Sequence, residues 1–167
     1  MSRIITTRVR TSSLQITSCI ASLLALELLT PAPTLYLVAP LFCNTPLLPL
    51  QLNQFSSLSQ NDEIGALSLA EILRQLAARG VAVHVIYSIE NPACDQFVTT
   101  LPETIYRRST ERLSCVGIFS DHFSLRGSMN FTDEGVSING DRVELSLDET
   151  PIAQALVEVQ DVWRELA

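Results

Sequence analysis

Apolar residues fall into blocks of two kinds, one repeating at helical spacing and one continuous, and the blocks alternate along the chain. Residues 13–29 form a long apolar-rich stretch; Ser12 and Gln15 stand at capping-box spacing ahead of it, and Pro31 and Pro33 close it. The pattern predicts a buried helix over about 13–29. Thr34 to Ala39 (TLYLVA) is an unbroken apolar run between Pro33 and Pro40, as in a strand covered on both faces. From Pro40 to Gln60, prolines at 40, 46 and 49 forbid a regular helix, which leaves a loop whose many leucines need cover. Next, Ser68 and Glu71 have capping-box spacing, Leu69, Ile72, Leu73 and Leu76 repeat on one face, and Gly80 stands at the stop. A helix over Leu69–Arg79 follows, then a strand over Val81–Ser88, which with the strand at 34–39 makes one parallel βαβ unit.

Pro92 suits the first turn of a short helix to about Thr100, and Thr104–Arg107 suits a strand. Leu113–Phe119 is apolar-rich, Ser120-Asp121-His122 reads as a turn, Phe123–Leu125 returns, and Gly127-Ser128 breaks the run, which predicts a hairpin leading into a glycine-serine loop. Arg142–Leu147 alternates as a half-exposed strand does, and Thr150-Pro151 opens a last helix with Ile152, Leu156, Val159, Trp163 and Leu166 on one face. Taken together, the blocks predict one α/β domain over 1–167.

The chain is 47% hydrophobic and 17% charged, so part of its apolar surface is expected to meet another chain. Of the net charge of −7, all lies in Asp133–Ala167, while residues 1–132 balance nine acids against nine arginines. A large nonspecific nucleic-acid groove would carry a basic excess. Local basic candidates are Arg3, Arg8 and Arg10, and Arg107, Arg108, Arg112 and Arg126; solvated surface charge is the competing reading. There is no lysine. The four cysteines are widely spaced without a Cys-x-x-Cys pair, which speaks against zinc and fits small core residues in a reducing, cytoplasmic setting. An export signal is the competing reading of residues 1–30, opposed by Thr17, Ser18, Ser22 and Glu27 inside the apolar segment, which is also too short and polar to span a bilayer.

Chemistry concentrates after the hairpin. Gly127 lets backbone approach a ligand, and Ser128 and Asn130 offer hydroxyl and amide groups suited to phosphate oxygens. His84 shares a strand face with Ala82 and Ile86 and reads as a half-buried structural residue. His122 reads as an exposed turn residue that reaches a reacting group only where the hairpin sets it beside Ser128 and Asn130.

The order Asp121, Gly127-Ser128-x-Asn130, Thr132, Gly135, Asn139 resembles the second half of the phospholipase D superfamily motif, His-x-Lys, four residues, Asp, about six residues, Gly-Ser-x-Asn, with one residue fewer between Asp121 and Gly127. Counting back from Asp121, Ser114 holds the histidine position and Val116 the lysine position. In that superfamily the histidine attacks the phosphodiester and the lysine neutralises the phosphate; serine without a base is a poor nucleophile and valine carries no charge. The resemblance spans about 34–166. It implies a mixed central sheet flanked by helices, a phosphate site built on Gly127, Ser128, Asn130 and Arg126, no cofactor or metal, and pairing of two copies, or of this chain with a different partner, so that two motifs face one site.

Three functions follow. The first is a degenerate, phosphate- or nucleic-acid-binding assembly subunit, in the setting of bacterial DNA defence or modification that the resemblance implies. The second is an active phosphodiesterase or nuclease using His122 or a partner's motif, and the third a purely structural complex subunit.

Overall fold

The structure, a computed structural model, describes residues 2–6, 11–49, 65–138 and 142–167. In chain order its elements are β1 (Ser2–Thr6), α1 (Thr11–Leu29), β2 (Thr34–Ala39), β3 (Pro46–Pro49), β4 (Ala66–Ser68), α2 (Leu69–Ala78), β5 (Ala82–Ser88), α3 (Pro92–Thr99), β6 (Tyr106–Thr110), β7 (Gly117–Ser120), β8 (Ser124–Arg126), β9 (Met129–Phe131), β10 (Val136–Ile138), β11 (Arg142–Ser146) and α4 (Glu149–Glu165). Seven strands form a mixed sheet in the order β1-β11-β8-β7-β2-β5-β6. Strands β2, β5 and β6 run parallel, and β7, β8, β11 and β1 continue the sheet antiparallel.

Alternation along the strands sorts two cores. Leu35, Leu37, Val83, Val85, Ile118 and Leu125 point to the face covered by α1, α2 and α3. Tyr36, Val38, Ile86 and Phe119 point to the other, where Ala155 and Val159 of α4 meet them. Period-two burial on two covered faces explains why β2 reads as a continuous apolar run.

The local signals at α2 are used as read. The Ser68 hydroxyl accepts from the Glu71 amide at 3.4 Å. At the other end Gly80, at φ 88°, lets its own amide reach the Ala77 carbonyl and the Val81 amide reach the Leu76 carbonyl, a glycine-terminated stop that hands the chain to β5. Asn91 caps α3 in the same manner, accepting from the Ala93 amide at 3.4 Å, with Pro92 in the first turn. Gly117 permits the tightest approach: a Cβ there would stand 2.1 Å from the Leu125 carbonyl oxygen and 2.7 Å from Phe119 Cζ.

Several expectations are corrected. Residues 2–6, for which the apolar pattern predicts no element, form an edge strand on β11, pairing Ile5 with Val143. Helix α1 begins at Thr11, so Ser12 lies inside it and is not its cap. The proline-rich stretch expected to be loop contains β3, paired antiparallel with β4; proline is tolerated in a two-stranded edge. Residues 50–64 lie outside the described residues. The strand expected at 104–107 occupies 106–110, and only Gly117–Ser120 of the run from Leu113 is strand. The expected glycine-serine loop is short: Met129–Phe131 pairs with β10 in a small hairpin. Phe42 holds that hairpin, its ring parallel to Phe131 at 5.1 Å and to Phe97 at 5.7 Å.

Candidate functional site

Because β7 runs antiparallel to β2, with Val38 opposite Gly117, the chain enters β7 and leaves β8 at the carboxyl end of the parallel strands. Open α/β sheets place ligands at that end. Ser114, Cys115, Val116, Arg126, Gly127, Ser128 and Glu158 line a groove of about 310 Å³ there. The Gly127 amide donates to the Val116 carbonyl at 3.1 Å, so the position expected to carry the motif lysine is tied to the motif glycine. Gly127 has φ 154°, which L side chains rarely adopt. Ser114 and Ser128 are exposed, and Arg126 is half-buried.

Arg126 is the cation in this groove. Its Nη2 donates to Glu158 Oε2 at 2.6 Å, and the guanidinium lies 5.8 Å from the centre of the Phe119 ring. Glu158 reaches the groove because Ala155 and Val159 anchor α4 on the sheet. Burial pushes the Cys115 thiol up, with Glu158 adding to the rise and Arg126 opposing it. A thiol held protonated is a poor nucleophile.

The other motif residues part company with the groove. Asp121 is exposed at the β7–β8 turn, the far end of the hairpin, four residues or ~13 Å along the strand from Gly117, the partner of Arg126. His122 lies beside Asp121, half-buried, and so is not next to Ser128 or Asn130. Its Nδ1–H donates to Glu27 Oε1 at 3.0 Å. The same oxygen accepts from the Ser120 hydroxyl at 2.7 Å, and Oε2 accepts from the Ala32 amide at 2.9 Å. Glu27 is 1% exposed. Three donors explain how an acid sits inside an apolar helix segment.

Asn130 is on β9 opposite Ser137, between the buried Met129 and Phe131, and is not among the groove-lining residues. Thr132 and Gly135 build the β9–β10 turn: the Thr132 hydroxyl donates to the Gly135 carbonyl at 2.7 Å and accepts from the Gly135 amide at 3.2 Å. A Cβ on Gly135 would stand 3.0 Å from Thr17 Oγ1, the atom that accepts from the Val136 amide. These motif residues have structural work close to the site. Asn139 lies outside the described residues.

His84 sits in a cross-strand stack between Tyr36, at 4.4 Å, and Tyr106, at 4.9 Å, with Trp163 edge-on at 4.6 Å. Burial lowers its pKa, so the ring is held neutral. Its Nδ1 meets the Ala82 carbonyl at 3.0 Å.

The local basic candidates also divide, and Arg79, outside that set, shares the role of two of them. Arg79 donates to the Leu28 carbonyl at the end of α1, Arg107 to the Val98 and Leu101 carbonyls at the end of α3, and Arg108 to the Trp163 carbonyl at the end of α4. The Arg108 guanidinium also lies over the Trp163 ring at 4.1 Å. Helix carboxyl ends leave carbonyls without intrahelical donors and carry negative potential, so these arginines act as internal staples. Arg3 and Arg112 are exposed, and Arg8 and Arg10 lie outside the described residues. In the sequence Glu158 falls off the apolar face of the last helix, and Cys115 reads as a small core residue. A residue count cannot show that α4 crosses over the end of β8.

No family model matches this chain, and no curated protein matches its sequence. Solved structures do share its fold. It is similar to NucT from Helicobacter pylori, at 12% identity over 98% of this chain and 97% of that one, with a TM-score of 0.60. Polyphosphate kinase from Porphyromonas gingivalis aligns at 11% identity and a TM-score of 0.59, covering 99% of this chain and 26% of the kinase. TrmBL2, an archaeal chromatin protein, aligns at 10% identity and a TM-score of 0.54, over 98% of this chain and 52% of that one. The chain thus spans about half of TrmBL2 and a quarter of the kinase. These likenesses are of fold, and the seven-stranded mixed sheet between helices is consistent with a phospholipase D-like fold. Among the described residues, no helix is long and apolar enough to cross a membrane.

Proposed function

We propose that this chain is a phospholipase D-like domain that binds phosphate groups, those of nucleic acid foremost, in the groove of Ser114, Val116, Arg126, Gly127 and Ser128, and does not cleave them by a histidine attack. One observation carries the reading: the residues at the motif histidine and lysine positions, Ser114 and Val116, line the same groove as Arg126 and Ser128, while His84 and His122 are engaged elsewhere. The groove keeps a cation and hydroxyl groups suited to phosphate oxygens but offers no imidazole to form a covalent intermediate. Support for nucleic acid comes from TrmBL2, whose structure is described as showing a novel mode of DNA binding.

The test is fluorescence-anisotropy binding of single-stranded and duplex DNA to the wild-type protein and to Arg126→Ala, alongside hydrolysis of an activated phosphodiester. The expected result is binding that weakens as salt rises and weakens again in Arg126→Ala, with no turnover. Equal affinity of both proteins, or turnover abolished by His122→Ala, would sink the reading.

Work in an assembly belongs to the same proposal. Leu26 and Leu29 on α1, 48% and 65% exposed, are suited to cover by a second copy or a different subunit, as in a DNA defence or modification complex. Light scattering of the purified protein and co-purification with the products of flanking genes test this; a monomer without partners removes it.

A further inference from the structure

The groove's cation is already occupied. Arg126 and Glu158 pair at 2.6 Å, and Glu158 itself lines the groove, so an arriving phosphate meets a carboxylate where it needs a guanidinium. A second acid lies close by: Glu144 of β11 is the direct cross-strand partner of Arg126, and its side chain is exposed. Directly opposed residues on antiparallel strands share a face, which puts two acids beside one arginine. The two acids do not play equal parts. Glu144 accepts from the Ser2 hydroxyl at 3.5 Å, whereas Glu158 accepts directly from the guanidinium.

We propose that Glu158 is a latch on the phosphate groove, a built-in competitor that holds Arg126 until a phosphate displaces it. This rests on the phosphate-binding reading above and concerns its regulation. The backbone of α4 is fixed, because Ala155 and Val159 are buried against the sheet on either side of Glu158. The Glu158 side chain itself is 56% exposed and can swing into solvent without disturbing that packing. Opening the latch therefore requires one side-chain rotation and leaves the fold untouched. The latch also sets a charge threshold. A singly charged phosphodiester that replaces a carboxylate on one guanidinium exchanges like for like, whereas a doubly charged terminal phosphate gains from the exchange. The groove is thus biased toward phosphorylated ends over internal linkages.

The test measures binding of inorganic phosphate, and of a short single-stranded oligonucleotide with and without a 5′-phosphate, to wild type, Glu158→Gln, Arg126→Ala and the double variant. The latch predicts that Glu158→Gln binds about two- to fivefold tighter, the range of a solvent-exposed ion pair. It predicts that this gain vanishes in the Arg126→Ala background and that the preference for the 5′-phosphate shrinks when Glu158 is neutral. A gain that persists without Arg126 overturns the latch, since Glu158 then acts as a general repulsive charge. Unchanged affinity in Glu158→Gln with weakened binding in Arg126→Ala overturns the latch and leaves the groove reading standing. Absence of binding by every variant ends both.

Discussion

The two ends of the β7–β8 hairpin carry similar residue types and put them to opposite use. At the turn end, Ser120, His122 and Glu27 bond to one another, and the acid is 1% exposed. At the open end, Ser114 and Ser128 face solvent, and Arg126 is held by a single exposed carboxylate. Polar groups bonded to each other in the interior stabilise a fold; polar groups left open around a groove are available to a ligand. A histidine beside a serine and an acid therefore marks a structural joint here, and the groove with no histidine is the candidate site.

The largest expected effect tests the joint. Glu27→Ala leaves the Ser120 hydroxyl, the His122 ring and the Ala32 amide without their acceptor, and is expected to cost about 3 kcal/mol in chemical denaturation. A loss below about 1 kcal/mol would show that the turn end is no more structural than the open end. Gly117→Ala follows: its methyl group would overlap the Leu125 carbonyl, which belongs to the ladder and cannot rotate away. The expected loss is about 2 kcal/mol with fewer protected amides in β8 by hydrogen exchange, so the floor of the groove is rigid even though its rim is open.

His122→Ala is expected to lower stability by about 1 kcal/mol and to leave DNA affinity unchanged, because the ring serves Glu27 and lies away from the groove. Ser128→Ala should do the reverse, staying within about 0.5 kcal/mol of wild type in stability while phosphate binding weakens measurably. If both substitutions moved both readouts, the division between the two ends would fail.

The smallest effect concerns the other histidine. Burial lowers the His84 pKa below its ordinary 6.5, so above that value the ring is neutral folded or unfolded and its contribution to stability is fully present. As pH falls below 6.5 the unfolded chain takes up a proton before the folded one does, and stability is lost progressively toward the depressed folded value. Denaturation midpoints measured across that window should fall less steeply in His84→Phe. An identical slope would remove His84 from the account.

Much of the fold was legible because its signals are local. Ser68, Glu71 and Gly80 mark both ends of α2 within a dozen residues, and the prolines around 34–39 frame β2. Glycine and serine placed the end of the hairpin correctly. What escaped depends on contacts remote in sequence. β1 is a strand because β11 receives it, and no periodicity in residues 2–6 announces a partner at 142–146. Arg107 and Arg108 counted among the local basic candidates, and only the fold brings the ends of α3 and α4 over them. Asp121 fell on a motif position in the sequence, yet the length of β7 carries it away from Gly127. Glu158 was hidden for the same reason: it falls off the apolar face of α4, and only the crossing of α4 over β8 brings it to Arg126.

The pairing of β1 with β11 bears on how this molecule is made. A strand at residues 2–6 leaves the ribosome well before residues 142–146 and stays without that neighbour until they follow, since the two pair directly across the sheet. Closing so long a loop is slow compared with forming α2 or the β7–β8 hairpin. Until β11 is made, β8 is an unprotected edge able to zip onto another nascent chain. Translation arrest just before residue 142 should therefore yield aggregation-prone chains, and crowded polysomes are where this fold is most exposed to mispairing.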